Sequence, residues 1–403
     1  MRRGRIRVSL PPGFGTIWTA VAVDLIGFGI VLPILPIYAR RYHTTSFEAT
    51  LLVAAYSAAT FVASPIWGRL SDRIGRKPVL LVSLVGTAAG SLITGLAGGM
   101  ALLFVGRIVD GASGASISVA QAAAADLSRP SERSRLFGLL GAAFGLGFVA
   151  GPAIGALAAL GGPRLPFFVA AGLAAANAVV AWRRLPETRP PDRRAGGPRP
   201  GPIAALMGAR GAAALIAVAF SAMVAFSGFE ATFAIFGQKR LGFDIASAAA
   251  VFTAVGALIV VVQGGLVHPL VSRLGEVRTL LVGLGANTAG LTLLAFSHSW
   301  SLAAPALVAL TTGQGLVQTT MATALVSRSD PSSRGQILGA QQSASALARV
   351  LGPALLGALL GADASGAPYL VGAALTALAA GLVGVALRGP ERHEPQQLDL
   401  GAE

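Results

Sequence analysis

Residues 51–67 and 79–100 carry no charged side chain, and between them lies Gly68-Arg69-Leu70-Ser71-Asp72-Arg73-Ile74-Gly75-Arg76-Lys77-Pro78. A helix needs about 20 mostly apolar residues to cross a bilayer, so each run is long enough to span. The basic stretch between them reads as a tight cytoplasmic turn, because arginine and lysine in short loops resist translocation. The pattern recurs along the chain. Twelve apolar runs are read at 16–38, 48–67, 79–98, 101–125, 135–160, 165–183, 212–237, 245–271, 279–297, 300–326, 335–361 and 366–387. Short segments rich in glycine, proline, serine or charge separate most of them.

Composition leaves no soluble alternative. Charged residues make up 12% of the 403, against 54% hydrophobic, whereas soluble domains carry about 25% charged residues. The surplus apolar surface has to face lipid. The net charge of +14 does not point to nucleic acid, because the basic residues fall in the gaps between apolar runs. With no cysteine and with His43, His268, His298 and His393 scattered, no metal site is expected. No phosphate-binding Walker loop is present. Residues 1–7 are basic, but the apolar run after them is too long for a signal peptide and contains Asp24, so an uncleaved first span is expected.

Basic residues set the orientation. With the amino terminus inside, 24 of the 31 Lys and Arg fall in inner segments and five in outer loops: Arg40, Arg41, Arg164, Lys239 and Arg240. Both termini are then cytoplasmic. Residues 185–210 form a proline-, glycine- and arginine-rich linker. The linker divides the chain into bundles at 1–184 and 211–403.

The halves resemble each other. Pro130, Arg133, Gly138 and Pro152 stand opposite Pro331, Arg334, Gly339 and Pro353, always 201 residues apart. Arg73 and Gly75 stand opposite Arg273 and Gly275 at an offset of 200. Several matches at one register indicate duplication, and paired bundles around a central site are a recurrent transporter design.

Five charges lie inside spans: Asp24, Arg107, Asp110, Glu230 and Arg349. Each costs at least about 2.5 kcal/mol at the bilayer centre, so such residues are seldom idle. Asp24 is the first candidate to carry a proton; a static hydrogen bond to a neighbouring helix is the alternative. Arg107 and Asp110, at i and i+3, share one helix face. They read as a self-satisfied ion pair or as a switch in which Arg107 changes partner between Asp110 and Asp24. Glu230 lies within about 10 Å of the outer end of its span at 1.5 Å per residue, which allows an external vestibule. Arg349 precedes Gly352-Pro353 and reads as a packing or anion-binding residue.

These residues carry a family resemblance over essentially the whole chain. Gly68 to Lys77 resembles the signature between spans 2 and 3 of the major facilitator superfamily. Asp24-Leu25-Ile26-Gly27-Phe28-Gly29-Ile30-Val31-Leu32-Pro33-Ile34-Leu35-Pro36 resembles its first-span signature. Gly106-Arg107-Ile108-Val109-Asp110-Gly111-Ala112-Ser113-Gly114 resembles the fourth. Residues 145–155, with Gly147, Gly151, Pro152 and Gly155, resemble the fifth-span antiporter signature. More narrowly, these residues resemble the twelve-span drug:proton antiporters that include the tetracycline exporters. One departure is Gly90, where tetracycline exporters of this type carry an acidic residue.

The resemblance implies an all-α polytopic membrane protein, with twelve transmembrane helices in two pseudo-symmetric six-helix bundles. It implies a monomer in the inner or plasma membrane that exports amphipathic small molecules in exchange for protons. No cofactor is then needed beyond the proton gradient. A lipid, lysolipid or metabolite transporter on the same fold is the alternative; a membrane enzyme or a transport-inactive scaffold lacks support in the sequence. The implied proton-coupling residues are Asp24, Arg107 and Asp110. The implied cavity adds Phe28, Phe226, Glu230, Gln314 and Gln318. Gly68, Asp72, Arg73, Gly75, Arg76 and Asp126 would form a cytoplasmic latch holding the halves shut, with Asp72 facing the start of span 11 and Arg73 or Arg76 reaching Asp126. Arg349, Gly352 and Pro353 would support the second half.

Overall fold

The computed structural model describes residues 10–114, 116–127, 133–188, 211–327, 334–361 and 365–386. Among these residues the secondary structure is helical throughout. In a bilayer every backbone N–H and C=O must be satisfied within its own segment, which selects helices for apolar runs of this length. The first half comprises α1 Phe14–Val31, α2 Leu35–Ala39, α3 Ser46–Ile74, α4 Arg76–Leu96, α5 Met100–Ala112, α6 Ser116–Leu127, α7 Arg133–Ala159 and α8 Leu165–Arg184. The second comprises α9 Ala212–Arg240, α10 Ile245–Val261, α11 Val267–Ala295, α12 Trp300–Ser327, α13 Arg334–Leu359 and α14 Ala367–Ala386. Nine helical stretches among the described residues are long and apolar enough to cross a membrane. One of them, Ile245–Ala295, holds 51 residues. At 1.5 Å each it would measure about 75 Å if straight, more than twice the bilayer core. It is divided at Gly275, whose φ of 78° and ψ of 167° are not helical.

Several boundaries differ from the sequence reading. The stretch 68–74 is not a loop: α3 continues helically through Gly68, Asp72 and Arg73 to Ile74. The whole turn is Gly75, at φ 104° and ψ 162°, a conformation closed to side chains with a Cβ. Charges end a membrane span, but they do not end a helix. The first span is not continuous either. It breaks over residues 32–34, where Pro33 removes a donor and disfavours helix at the residue before it. The fourth breaks after Ala112, and the eighth passes through a π-helical turn at Val262–Leu266, which contains Gly264-Gly265.

Glycines set the closest helix approaches. A Cβ at Gly151 would lie 2.6 Å from the Gly29 Cα, and one at Gly147 would lie 2.7 Å from the Leu25 Cβ, so α7 rests directly on α1. Gly155 continues the seam against Ile30 and Ile34. Gly352 repeats the device, with a Cβ there 2.6 Å from the Val224 carbonyl and α13 resting on α9. Small residues serve membrane helices in this way because dispersion forces replace the hydrophobic drive. Helix α7 runs on through Pro152, and α13 through Pro353.

The two ends of the bundle are packed differently. At the end holding Ala39 and Phe236, one apolar core draws on both halves, including Ile34, Tyr38, Leu52, Phe229, Phe233 and Leu360. At the end holding Phe14 and Ala212, the described residues separate into two cores. One, around Ile17, Leu80 and Leu136, uses only the first half; the other, around Leu215, Leu280 and Ile337, uses only the second. Polar contacts follow the same division. Arg40 donates to Gln238 Oε1 at 2.9 Å and Lys239 to Ser46 Oγ at 3.2 Å, both joining the halves at the shared end.

Candidate functional site

Halfway along the first half, α1, α3, α5 and α6 bring a charged cluster into the apolar interior. Arg107 and Asp110 are 3% and 5% exposed, and Arg107 Nη1 donates to Asp110 Oδ2 at 2.7 Å. Helical spacing places them together, as the i,i+3 positions predict. The guanidinium carbon also sits 4.3 Å from the Tyr56 ring centroid, a cation–π contact from α3. Arg107 Nε is buried and has no partner. Phe28 packs against the other aromatic of this group, its ring tilted by 36° and 5.3 Å from that of Tyr56.

Asp24 lies beside this pair and does not bond it. Its Oδ2 accepts a 2.5 Å hydrogen bond from Ser116 Oγ, at the first residue of α6. Its Oδ1 is buried without a partner. Asp110 and Asp24 nevertheless act on each other electrostatically. The structure therefore holds Arg107 on Asp110, with Asp24 on a hydroxyl. Two carboxylates act on each other, one bonded to the guanidinium and the other left with an unsatisfied oxygen.

Tyr56 and Ser116 were not named from the sequence. Tyr56 had a faint signal, as the lone phenol in residues 51–67; Ser116 had none. Gly90 takes on a structural meaning here. A Cβ on it would lie 2.6 Å from the Asp110 Cβ and 2.7 Å from the Asp110 N, so α4 approaches the ion pair only because this position has no side chain.

The second half holds the remaining candidates. Glu230 is not in an outer vestibule: it is 7% exposed within α9, and Phe226 and Phe229 beside it are also buried. The outward reading fails because α9 continues to Arg240 and adjoining helices cover the helix through Gly237. Arg349, half-buried on α13, acts on Glu230 electrostatically. Gln314 is 1% exposed and accepts from Asn287 Nδ2 at 3.2 Å, while Gln318 accepts from Gln263 Nε2 at 3.3 Å. These amide bonds join α12 to the π-helical turn and to α11. Gln263 belongs to the π-helical turn, a local rewinding that re-aims a side chain.

One of the expected latch contacts is present. Arg76 reaches Asp126, with Nε 3.0 Å from Oδ2, and Arg76 Nη1 donates to Ser71 Oγ at 2.6 Å. All three residues belong to the first half, so this pair staples α3, α4 and α6 together and does not bridge the halves. The side chain of Asp72, residues 328–333 and the side chains of the first residues of α13 lie outside what is described. Glu187 supplies what the sequence reading missed. Its carboxylate accepts from Arg76 N at 2.9 Å and Lys77 N at 3.2 Å, capping α4 from the far end of the first half.

Comparison with known proteins bears on the identity. The family model described as Major Facilitator Superfamily matches residues 17–353, with a further match at 268–402. The chain is 34% identical over 367 residues to the class G tetracycline resistance protein of Vibrio anguillarum, covering 88% of this chain and 93% of that one. It is 33% identical over 368 residues to the class C protein of Escherichia coli, covering 88% and 92%. A bacterial homologue of the human lysosomal transporter Spinster, solved inward-facing and occupied, superposes with a TM-score of 0.78 at 15% identity, covering 95% of this chain and 98% of that one. The chain belongs to the Major Facilitator Superfamily alongside the tetracycline resistance proteins, and it is a multi-pass membrane transporter, not an enzyme.

Proposed function

We propose that this protein exports amphipathic, drug-like small molecules in exchange for protons, using twelve spans in two six-helix lobes with both termini cytoplasmic. The likeness to tetracycline resistance proteins supports a drug as cargo. The Asp24–Ser116 and Arg107–Asp110 cluster carries the proton-coupling reading. A carboxylate with one satisfied and one unsatisfied buried oxygen, next to a second carboxylate and a guanidinium, stands in a high-energy arrangement that a proton relieves. Protonating Asp24 removes one negative charge from the cluster. Losing that proton restores the charge beside Asp110.

Exchange then follows from alternating access. The shared core at one end and the separate cores at the other correspond to a transporter closed on one side. In this reading the open side is cytoplasmic, ready to load cargo. Buried Glu230, with Phe226 and Phe229, supplies a negative and aromatic surface suited to a cationic or zwitterionic group.

The test uses everted vesicles carrying the full chain, an imposed proton gradient and a panel of fluorescent drugs. Wild type accumulates at least one drug when the gradient is present, and Asp24→Asn falls to the level of empty vesicles while retaining its thermal unfolding profile. Gradient-independent accumulation, or full activity in Asp24→Asn, overturns the proton-coupled reading in favour of a uniporter or a lipid transporter on the same fold.

A further inference from the structure

Five basic residues sit at the closed end, against the charge rule that places arginine and lysine at the other. Four of them have partners within the protein. Arg40 bonds Gln238 and Lys239 bonds Ser46. Arg164 donates to Tyr38 Oη and the Ala97 carbonyl, both at 3.3 Å. Arg240 donates to the Ala295 carbonyl at 3.4 Å and covers the Phe236 ring at 5.2 Å. Arg41 alone makes no side-chain hydrogen bond or ion pair among the described residues, and it is exposed.

Arg41 also lines two adjoining hollows. The larger, about 660 Å³, runs between α2, the end of α7 and the turn from α9 into α10, with Arg40, Gln238 and Asp244 among its polar residues and Leu160 and Ile245 among its apolar ones. The smaller, about 420 Å³, adds Arg164, Leu165 and Phe168. Together they present three guanidinium groups and one carboxylate. That carboxylate is engaged elsewhere: Asp244 caps α10, accepting from Ser247 N at 2.7 Å and from Ser247 Oγ at 2.5 Å, and these bonds hold its carboxyl below the usual carboxylate range. The net field is positive, while Leu160 and Leu165 at the rim are 76% and 40% exposed, as side chains facing acyl chains would be.

We infer that this seam binds the phosphate of an anionic phospholipid headgroup from the outer leaflet, with Arg41 as its free anchor and Leu160 and Leu165 against the acyl chains. Guanidinium groups suit phosphate because they donate in a planar fork. The hollow contains both sides of the Arg40–Gln238 contact, so a headgroup held there braces the closed end and favours the state open at the other. The leaflet rests on the proposed orientation; the binding chemistry does not.

The experiment reconstitutes the full chain in vesicles of equal parts phosphatidylcholine and phosphatidylglycerol, extracts it gently, and counts retained lipids by native mass spectrometry. Wild type should favour phosphatidylglycerol over phosphatidylcholine by about fivefold, the effect of one basic residue near an anionic surface. Arg41→Gln should bring the ratio to parity and Arg41→Lys should restore most of it, with unchanged thermal unfolding in both. Equal retention by wild type and Arg41→Gln overturns the inference. Displacement of phosphatidylglycerol by millimolar inorganic phosphate also overturns it, because the site would then serve a soluble anion. Lipid retention is read without any transport, so failure of this site and failure of proton coupling are separate results.

Discussion

Asp24, Arg107 and Asp110 illustrate what a single residue in a membrane span reveals. Their cost in hydrocarbon makes each one visible in a run of 20 apolar residues. The i,i+3 spacing of Arg107 and Asp110 gives their 2.7 Å pairing directly, since helix geometry is local. Asp24 could not be resolved in the same way, because its partner Ser116 is 92 residues distant in sequence and indistinguishable there from any other serine. Gly90 carries its own prediction. Gly90→Ala pushes a methyl group into Asp110, so it should destabilise the protein by about 1–3 kcal/mol, the usual cost of overpacking, seen as a lower unfolding temperature in detergent. Gly90→Asp adds a third carboxylate to the same crowded place and should lower it further. An unchanged unfolding temperature in both would mean that α4 and α5 are not in contact there. At the cluster, Tyr56→Phe keeps the ring under Arg107 and should preserve transport, whereas Tyr56→Ala should reduce drug accumulation in the vesicle assay.

Individual elements were legible as spans and less legible as helices. Hydropathy reports where lipid contact stops, and α3 shows that the helix runs on for another turn and more, up to the one glycine that can turn the backbone. Gly75 and Gly275 occupy equivalent places in the two halves, each at positive φ, so the repeat seen in the sequence is a repeat of backbone conformation. Glu187 is the clearest element-scale omission. A carboxylate capping α4 from 110 residues away follows no local capping rule, because the N-cap position itself is Gly75 and offers no side chain. Glu187→Gln should weaken the cap by about 0.5–2 kcal/mol, the range for losing a capping side chain. Faster tryptic cleavage after Arg76 in the native protein would report it; unchanged cleavage would show that the cap contributes nothing to this turn.

The whole molecule is joined at one end and divided at the other. Thr50 and Gly357 meet across the halves within the joined region, a Cβ on Gly357 lying 2.7 Å from the Thr50 Cβ. The chain has no cysteine, so a pair introduced there is the sole disulfide available. Thr50→Cys with Gly357→Cys should cross-link on mild oxidation without added drug once α3 and α13 part by about 1 Å, which brings the Cβ atoms from 2.7 Å to disulfide range. The linked form should lose transport and regain it on reduction, because exchange requires this end to open. A pair that never cross-links while both thiols label freely with a bulky maleimide would mean that the resting protein is open where this structure is closed.

The amino-acid sequence by itself determined the lipid-facing surface, the helical class, the internal duplication and the charges that a membrane tolerates only with a purpose. These follow from one-dimensional quantities: run length, the cost of burying charge, and the 3.6-residue turn. Tertiary structure alone decided which acceptor Arg107 holds, that Asp24 rests on Ser116, that Glu230 is enclosed, that Arg76 pairs with Asp126 within the first half, and which end is shut. Each of these depends on how separate helices pack across a seam, and two packings of the same helices can differ by only a few kcal/mol. No local pattern in the chain encodes so small a difference.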